Sequence, residues 1–171
     1  SQEGSVNTYS TNGFAWSGLG NQIVGSSFGG TTVNFLNDVA INDAADRLVI
    51  GAPTHNFVLG TVKAYLLVGS TWTQVGSKID GEISGDEFGH NVACSADGLT
   101  IAVWATRITN PAPVEPASGW QTGAVKVYRA SSTATSATWN QIGSTIYGER
   151  DYDGENTRRK AVDMSADGNT I

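Results

Sequence analysis

One segment, led by tryptophan, occurs three times and decides the fold. It reads Trp72-Thr-Gln-Val-Gly76-Ser-Lys-Ile79, Trp139-Asn-Gln-Ile-Gly143-Ser-Thr-Ile146 and Trp16-Ser-Gly-Leu-Gly20-Asn-Gln-Ile23. Each copy has an aliphatic residue three positions after the tryptophan, then a glycine, and an isoleucine three positions after that glycine. Such self-similarity is typical of a repeat architecture, in which one structural unit is used several times.

Two further elements recur in a constant order around the tryptophan segments. A Gly-x-Val-x-x-Tyr element precedes each one, at residues 4–9, 60–65 and 123–128, and Ala-Asp-Gly turns follow at Asp97 and Asp167. Apolar and polar residues alternate in these elements, which is typical of β-strands. Asp-Gly pairs favour tight hairpins because both residues tolerate a positive φ. Each repeat is therefore predicted to be a four-stranded antiparallel sheet.

The predicted fold class is all-β, a β-propeller whose blades are these sheets. A sheet with two apolar faces is unstable alone, and stacking on copies of itself around an axis buries both faces. We predict the last strand of a split blade at 1–13, blades at 14–70 and 71–137, and the start of the split blade at 138–171. Closed propellers typically have four to eight blades, so these three repeats are expected to belong to a larger propeller, completed by blades from the same or another chain.

The composition excludes several classes of partner. With 10 basic and 16 acidic residues the net charge is −6, and the chain lacks the basic surface that nucleic-acid binding requires. Its longest apolar runs are far too short to cross a bilayer, so neither nucleic-acid binding nor membrane insertion is expected. The single cysteine, Cys94, lies in an apolar strand-like run, which indicates a buried residue.

The middle of the chain resembles a known family. The resemblance is carried by four segments, Gly51-Ala52-Pro53, Trp72-Thr-Gln-Val-Gly76, Gly85-Asp-Glu-Phe88-Gly89 and Ser95-Ala-Asp-Gly98. Together they are similar to FG-GAP-type propeller repeats, which are common in large secreted and cell-surface proteins. The resemblance therefore implies an extracellular or cell-surface location. The chain departs from the pattern at Trp104-Ala105, where the family has Gly-Ala, and its short Asp-Gly turns lack the ligands of the family's calcium loop.

Two acidic stretches are candidate cation sites, because carboxylate oxygens are ligands that Ca²⁺ prefers. The candidate ligands are Asp80, Glu82, Asp86, Glu87, Glu149, Asp151 and Asp153. The alternative is a pair of solvated loops that keep the protein soluble. The corresponding part of the first repeat, residues 25–34, has no acidic residue, so an ion shared by all repeats is not supported. No other cofactor is expected.

Two segments outside the repeat pattern are candidate ligand-binding sites. Residues 107–122 begin with Arg107, contain three of the four prolines and include Trp120, which does not align with the repeated tryptophans. Insertions of this kind lie on one rim of a propeller, where ligands are usually bound. The basic run Arg158-Arg159-Lys160 is a second candidate, either for an acidic partner or for pairing with the acidic residues before it.

The predicted function is a non-catalytic extracellular binding or adhesion module that contacts a protein or glycan partner through rim loops. The segment Gly25-Ser-Ser27-Phe-Gly29 matches a nucleophile elbow by letter but lacks the strand–turn–helix context. His55 and His90 have no triad spacing to a carboxylate. The alternative function is a structural unit that self-assembles with other chains. A glycoside-hydrolase-like propeller is disfavoured because it needs two facing carboxylates.

Overall fold

Strands dominate the computed structural model of this chain, and the predicted all-β class is confirmed. The structure describes residues 4–25, 36–111, 122–148 and 162–171. Within these ranges the helical structure is a single turn, α1 (His55–Val58), and no helix there is long and apolar enough to span a membrane. The strands form antiparallel sheets, none of which closes on itself in the described part of the chain.

The N-terminal unit, residues 4–25, contains two short antiparallel ladders. In one, β1 (Ser5–Val6) pairs with β4 (Ile23–Val24), and in the other, β2 (Tyr9–Thr11) pairs with β3 (Trp16–Gly18). The first Gly-x-Val-x-x-Tyr element and the first tryptophan segment are therefore neighbouring strands.

The first sheet, residues 38–80, follows the N-terminal unit. Its strands lie in the order β5 (Asp38–Ile41), β6 (Arg47–Ala52), β7 (Thr61–Val68) and β8 (Thr71–Gln74), and β9 (Ile79–Asp80) pairs with the start of β7. Every residue of β6 is buried. Burial along a whole strand is expected only where both faces of the sheet are covered.

The second sheet, residues 88–147, repeats the same order of strands. These are β10 (Phe88–Cys94), β11 (Thr100–Ala105), β12 (Ala124–Ala130) and β13 (Trp139–Tyr147). The C-terminal segment, residues 162–171, contains the next copy of the Asp-Gly turn and no strand.

The sheets begin and end at a different point of the repeat from the predicted units. The predicted blades 14–70 and 71–137 each begin close to a tryptophan, whereas Trp72 and Trp139 lie in the last strands of the first and second sheets. The reason is that each tryptophan segment hydrogen-bonds to the Gly-x-Val-x-x-Tyr strand before it. A repeat can be cut at any point, so the division of the chain into units stays a prediction.

Face-to-face packing of the sheets builds the core as three apolar clusters. The largest lies between the first and second sheets and contains Val49, Val62, Ala64, Val75, Phe88, Val92, Ile101, Val103, Ala105, Tyr128 and Ala137. The cluster between the N-terminal unit and the first sheet contains Ile23, Leu48, Ile50, Ala52, Tyr65 and Trp72. The cluster between the second sheet and the C-terminal segment contains Ala93, Ala102, Val125 and Val162. The four layers are thus stacked in chain order.

Equivalent hairpin turns are hydrogen-bonded from layer to layer, and we call this series the turn ladder. The backbone N–H of Asp43 donates to the carbonyl of Ala96 (3.2 Å), and the N–H of Ala96 donates to the carbonyl of Ala166 (2.9 Å). The three residues hold the same position in successive repeats. Backbone hydrogen bonds therefore connect successive layers at this rim of the stack.

The turns also share their internal hydrogen bonds. The Ser95 hydroxyl and the N–H of Leu99 both donate to Asp97 Oδ1, at 2.6 and 2.9 Å, and the Ser165 hydroxyl donates in the same way to Asp167. Burial opposes ionisation of Asp97, but the hydrogen bonds from Ser95 and Leu99 outweigh it, and the pKa of Asp97 lies below its usual value.

Trp72 and Trp139 each donate a hydrogen bond to the repeat before them. The indole N–H of Trp72 is shared between the Thr8 hydroxyl (2.9 Å) and the carbonyl of Leu19 (3.2 Å). The indole N–H of Trp139 donates to the carbonyl of Val75 (3.1 Å). Leu19 and Val75 are the aliphatic residues three positions after the preceding tryptophan. This inter-repeat bond, which we call the tryptophan contact, therefore occurs at two successive junctions.

The glycine after the accepting residue makes room for this contact. Gly20 and Gly76 have φ values of +74° and +63°, a region that side chains with a Cβ rarely occupy. A Cβ at Gly20 would lie 2.6 Å from Nε1 of Trp72, and a Cβ at Gly76 would overlap the carbonyl oxygen of Ala137. The glycine is therefore required both for its backbone conformation and for the close approach of the next repeat.

The junctions on the two faces of the second sheet are not alike. A Cβ at Gly51 in β6 would overlap the carbonyl oxygen of Gly89 in β10, so the first and second sheets approach very closely there. Trp104 occupies the equivalent position in β11 and packs against the cluster at the C-terminal segment. Its indole nitrogen is buried and has no hydrogen-bond partner in the described part of the chain.

Substituting Gly76 by alanine should destabilise the protein more than the same substitution at Gly69. Both glycines have φ +63°, but a Cβ at Gly69 has no neighbour within 4 Å. We expect Gly69→Ala to cost about 1–2 kcal/mol for the backbone conformation alone. Gly76→Ala should cost about 1–3 kcal/mol more, because the new methyl group overlaps Ala137. Urea unfolding of the two variants measures the difference, and equal losses would show that the close approach at Gly76 does not contribute.

Candidate binding site

A groove, here called the rim groove, lies at the rim opposite the turn ladder. β11 begins at the turn and ends at Ala105, so Arg107 follows at the far rim, beside the loop 81–87 that joins β9 to β10. The groove encloses a cavity of about 280 Å³. Its lining residues are Glu82, Ile83, Ser84, Asp86, Arg107, Ile108, Thr109, Pro111, Lys126 and Tyr147.

Backbone hydrogen bonds hold the loop 81–87 in place. The N–H groups of Gly85 and Glu87 both donate to the carbonyl of Val58, at 3.1 and 3.2 Å. Val58 and Glu87 have φ values of 67° and 55°, a conformation that costs free energy in residues other than glycine and persists only where the surroundings impose it. The loop is thus tied to the end of α1 and presents its side chains in a defined geometry.

Both basic groups of the groove are paired with acidic residues of the loop. The Lys126 side chain is 8% exposed and its ammonium group contacts the Glu82 carboxylate, which is 71% exposed. Arg107 Nε lies 3.2 Å from Glu87 Oε1, and the Thr106 hydroxyl donates to the other carboxylate oxygen at 2.7 Å. A buried ammonium group needs such a counter-charge, because leaving it unpaired costs several kcal/mol, on the order of 3–5. These pairs join the two walls of the groove.

Asp86 is the buried acid of the groove. Asp86 is only 7% exposed, and its carboxylate accepts a 3.3 Å hydrogen bond from the N–H of Ile83. Burial raises the pKa of Asp86 above its usual value, and the hydrogen bond from Ile83 and the charge of Lys126 offset only part of this effect. The ionised carboxylate is therefore stabilised less well at the base of the loop than it would be in water.

The lining combines charged, polar and apolar groups. Ile83 is 66% exposed, and Pro111 and Tyr147 add apolar surface next to the paired charges. Since the Glu82 and Arg107 charges are already paired, hydrogen bonding and apolar contact would dominate recognition in this groove. Its described lining contains no histidine that could act as a general base and no cysteine that could act as a nucleophile.

Four of the seven candidate calcium ligands lie in the described part of the chain, and each of the four has its own partner. Asp80 pairs with Lys78 (2.9 Å) and accepts a hydrogen bond from the Thr61 hydroxyl (2.7 Å). Glu82, Asp86 and Glu87 have the separate partners given above. In the described part of the chain, no group of three or more His, Cys, Asp or Glu side chains could hold a metal ion.

Arg107 is the predicted ligand-binding residue that the structure places in the rim groove, together with the acidic residues Glu82 and Asp86. Asp80 and Glu87 are described as well, with the partners given above, and the remaining seven predicted site residues lie outside the described residues. These are Trp120, Arg158, Arg159, Lys160, Glu149, Asp151 and Asp153.

Four lining residues, Ile83, Ser84, Lys126 and Tyr147, were not predicted from the sequence, because they come from different elements. Lys126 holds the same repeat position as Lys63, a position that alternates with apolar residues as in an ordinary strand. Ile83 lies between acidic residues, and Tyr147 is the last residue of β13. The one usable signal in the sequence is the isoleucine within an acidic segment, since an apolar residue in such a place often marks a contact surface.

Comparison with known proteins adds no family assignment. No protein-family model matches the chain, and no curated protein matches it significantly.

The titration of Asp86 predicts an unusual dependence of stability on pH. The folded-state pKa of Asp86 is raised, so the contribution of Asp86 to the stability of the fold is fully present below the unfolded-state pKa. This contribution is lost as pH rises through the folded-state pKa. The free energy of unfolding of the wild type, relative to Asp86→Asn, should therefore fall between pH 3 and pH 7.

Asp97→Asn provides a control of opposite sign. The pKa of Asp97 is lowered, so its contribution is present above the unfolded-state pKa and is lost as pH falls. The wild type should therefore gain stability relative to Asp97→Asn as pH rises over the same range. Urea unfolding at several pH values measures both differences, and the same sign in both pairs would contradict the assignment.

Proposed function

We propose that this chain is a non-catalytic binding module that takes a protein or glycan partner at its rim groove. The observation that carries the proposal is the groove itself, where a tied loop and the end of a buried strand meet around a cavity of about 280 Å³. Sites of this kind, in which loops are positioned by a rigid sheet scaffold, are where β-sheet repeat proteins usually bind their partners.

The proposed scaffold is a segment of an FG-GAP-like β-propeller. Three properties support it: antiparallel sheets that share a four-strand order, face-to-face packing in chain order, and aromatic residues placed between successive layers. A propeller needs each of these, because its blades bury their apolar faces only against each other. The proposed location, extracellular or cell-surface, rests on the resemblance of the repeat segments to that family.

The chemistry of the groove supports a partner with both polar and apolar groups. Arg107 is about half exposed, with 47% of its side chain accessible, and its guanidinium has donors left over after pairing with Glu87. Ile83 and Tyr147 lie in the same lining and offer apolar contact. A sugar ring or a loop of another protein presents such a mixture, whereas a nucleic acid would meet the unfavourable net charge of −6.

Arg107→Ala should weaken binding by at least about tenfold, which corresponds to about 1.4 kcal/mol. The probes are a printed glycan array and a displayed peptide library, and affinity for the selected binders is measured by titration. Tyr147→Ala should weaken binding as well, and it leaves the pair between Arg107 and Glu87 intact.

Arg129→Ala is the matched control. Arg129 is an exposed cation at the other end of the β11–β12 pair, where it hydrogen-bonds to Thr100 at 3.2 Å. Its removal should leave affinity unchanged. The proposal fails if neither probe yields a binder, or if the binders tolerate Arg107→Ala and Tyr147→Ala as well as they tolerate the control.

A further inference from the structure

The tryptophan contact occurs twice in the described part of the chain, and two further segments there each resemble one half of such a contact. Trp72 is seated on Leu19 and Gly20, and Trp139 donates its hydrogen bond to Val75, next to Gly76. Trp16 is the tryptophan side of such a contact, with no accepting glycine segment among the described residues. Ile142 and Gly143 are the accepting side, with no tryptophan among the described residues.

The first half is an exposed aromatic surface on the N-terminal unit. Trp16 is 73% exposed, Tyr9 is 61% exposed and Phe14 is 98% exposed. The counterparts of Trp16 and Tyr9 in the next repeat are buried, since Trp72 is 4% exposed and Tyr65 is 6% exposed. The repeated aromatic residues thus face the preceding repeat, and those of the N-terminal unit lie on a surface of the kind that marks an interaction site.

The second half lies on β13. Gly143 has φ +69°, like Gly20 and Gly76, and a Cβ placed on it has nothing within 4 Å. Ile146, further along the strand, is 51% exposed. The backbone conformation that accommodates an indole ring is therefore present at Gly143, and no residue of the described part of the chain lies where the ring lies at Gly20.

The C-terminal segment covers a different part of this face. Val162 packs with Ala93, Ala102 and Val125, which belong to β10, β11 and β12. Among the described residues of that cluster none belongs to β13. The C-terminal segment and a docked aromatic surface could therefore lie side by side on the second sheet.

We propose that a second copy of this chain docks head to tail on β13. Trp16 of one copy lies over Gly143 of the other, and its indole N–H donates to the carbonyl of Ile142. The arrangement continues the stacking seen at the two internal junctions, so the occupant is argued from contacts that this chain already makes with itself. The proposed contact uses Ile142 and Gly143, which do not line the rim groove, and it does not depend on the function proposed for that groove.

The contact joins two different surfaces and is therefore heterologous. A heterologous contact produces a closed ring if the rotation between copies closes, and an open chain of copies if it does not. The alternative isologous pairing, with Trp16 against Trp16, would bury the aromatic surface and leave Gly143 open. Separate variants of the two halves can distinguish these arrangements.

Two substitutions remove one half each. Trp16→Ala removes an exposed side chain, so it should fold normally. Gly143→Asn places a side chain where the indole would lie, and asparagine tolerates a positive φ better than other residues with a Cβ. Gly69→Asn is the matched control, because Gly69 has a similar φ of +63° and a Cβ added to it would have nothing within 4 Å. Circular dichroism and urea unfolding establish that all variants are folded.

Sedimentation velocity over a range of concentrations measures the association. The wild type and Gly69→Asn should associate, and Trp16→Ala and Gly143→Asn should each weaken association by at least about tenfold, because a central tryptophan commonly dominates an interface. An equimolar mixture of the two defective variants should form a dimer and no larger species. In that dimer, the intact Trp16 of one copy meets the intact Gly143 of the other.

The proposal is overturned if the wild type remains monomeric at high concentration, or if either half can be altered without loss of association. It is also overturned if the mixture of the two variants associates no better than each variant alone, since that result indicates an isologous or unrelated contact.

Discussion

The need to cover both faces of each sheet governs this structure. Side chains alternate along β6, so Leu48 and Ile50 face the N-terminal unit while Val49 faces the second sheet. The same alternation in β11 places Val103 towards the first sheet and Ala102 towards the C-terminal segment. Exposing either apolar face of such a strand to water is unfavourable in free energy. No layer of this chain is therefore expected to be stable without its neighbours.

The sequence was sufficient to predict the class of the fold and less informative about the site. Strand alternation and Asp-Gly turns are local properties, and the turns at Asp97 and Asp167 have the same internal hydrogen bonds. The rim groove depends on contacts between distant segments. The carboxylates of loop 81–87 are close in sequence, which suggested a shared ion, but the fold directs Glu82 to Lys126 and Glu87 to Arg107. Such choices of partner are made by tertiary packing and have no local signal.

The two faces of the second sheet show how one substitution changes a repeated junction. Gly51 lets the backbone at Gly89 approach closely, whereas the equivalent Trp104 brings a large ring to the next junction. The ring fills space that the close approach of two backbones would otherwise occupy, and its buried indole nitrogen lacks a partner in the described part of the chain. The stack is therefore built from similar layers whose junctions are filled by different residues, which distinguishes it from an ideal repeat.

The turn ladder has a consequence for how such a chain can diversify. Its bonds join the backbone at Asp43, Ala96 and Ala166, so they do not depend on which side chains those positions carry. The connections at the opposite rim differ greatly in length, as residues 53–60 and 106–123 show. The rim with the turn ladder thus keeps the same backbone arrangement in each layer, and the opposite rim is where the loops vary. Loops of new specificity could be grafted at the second without disturbing the alignment at the first.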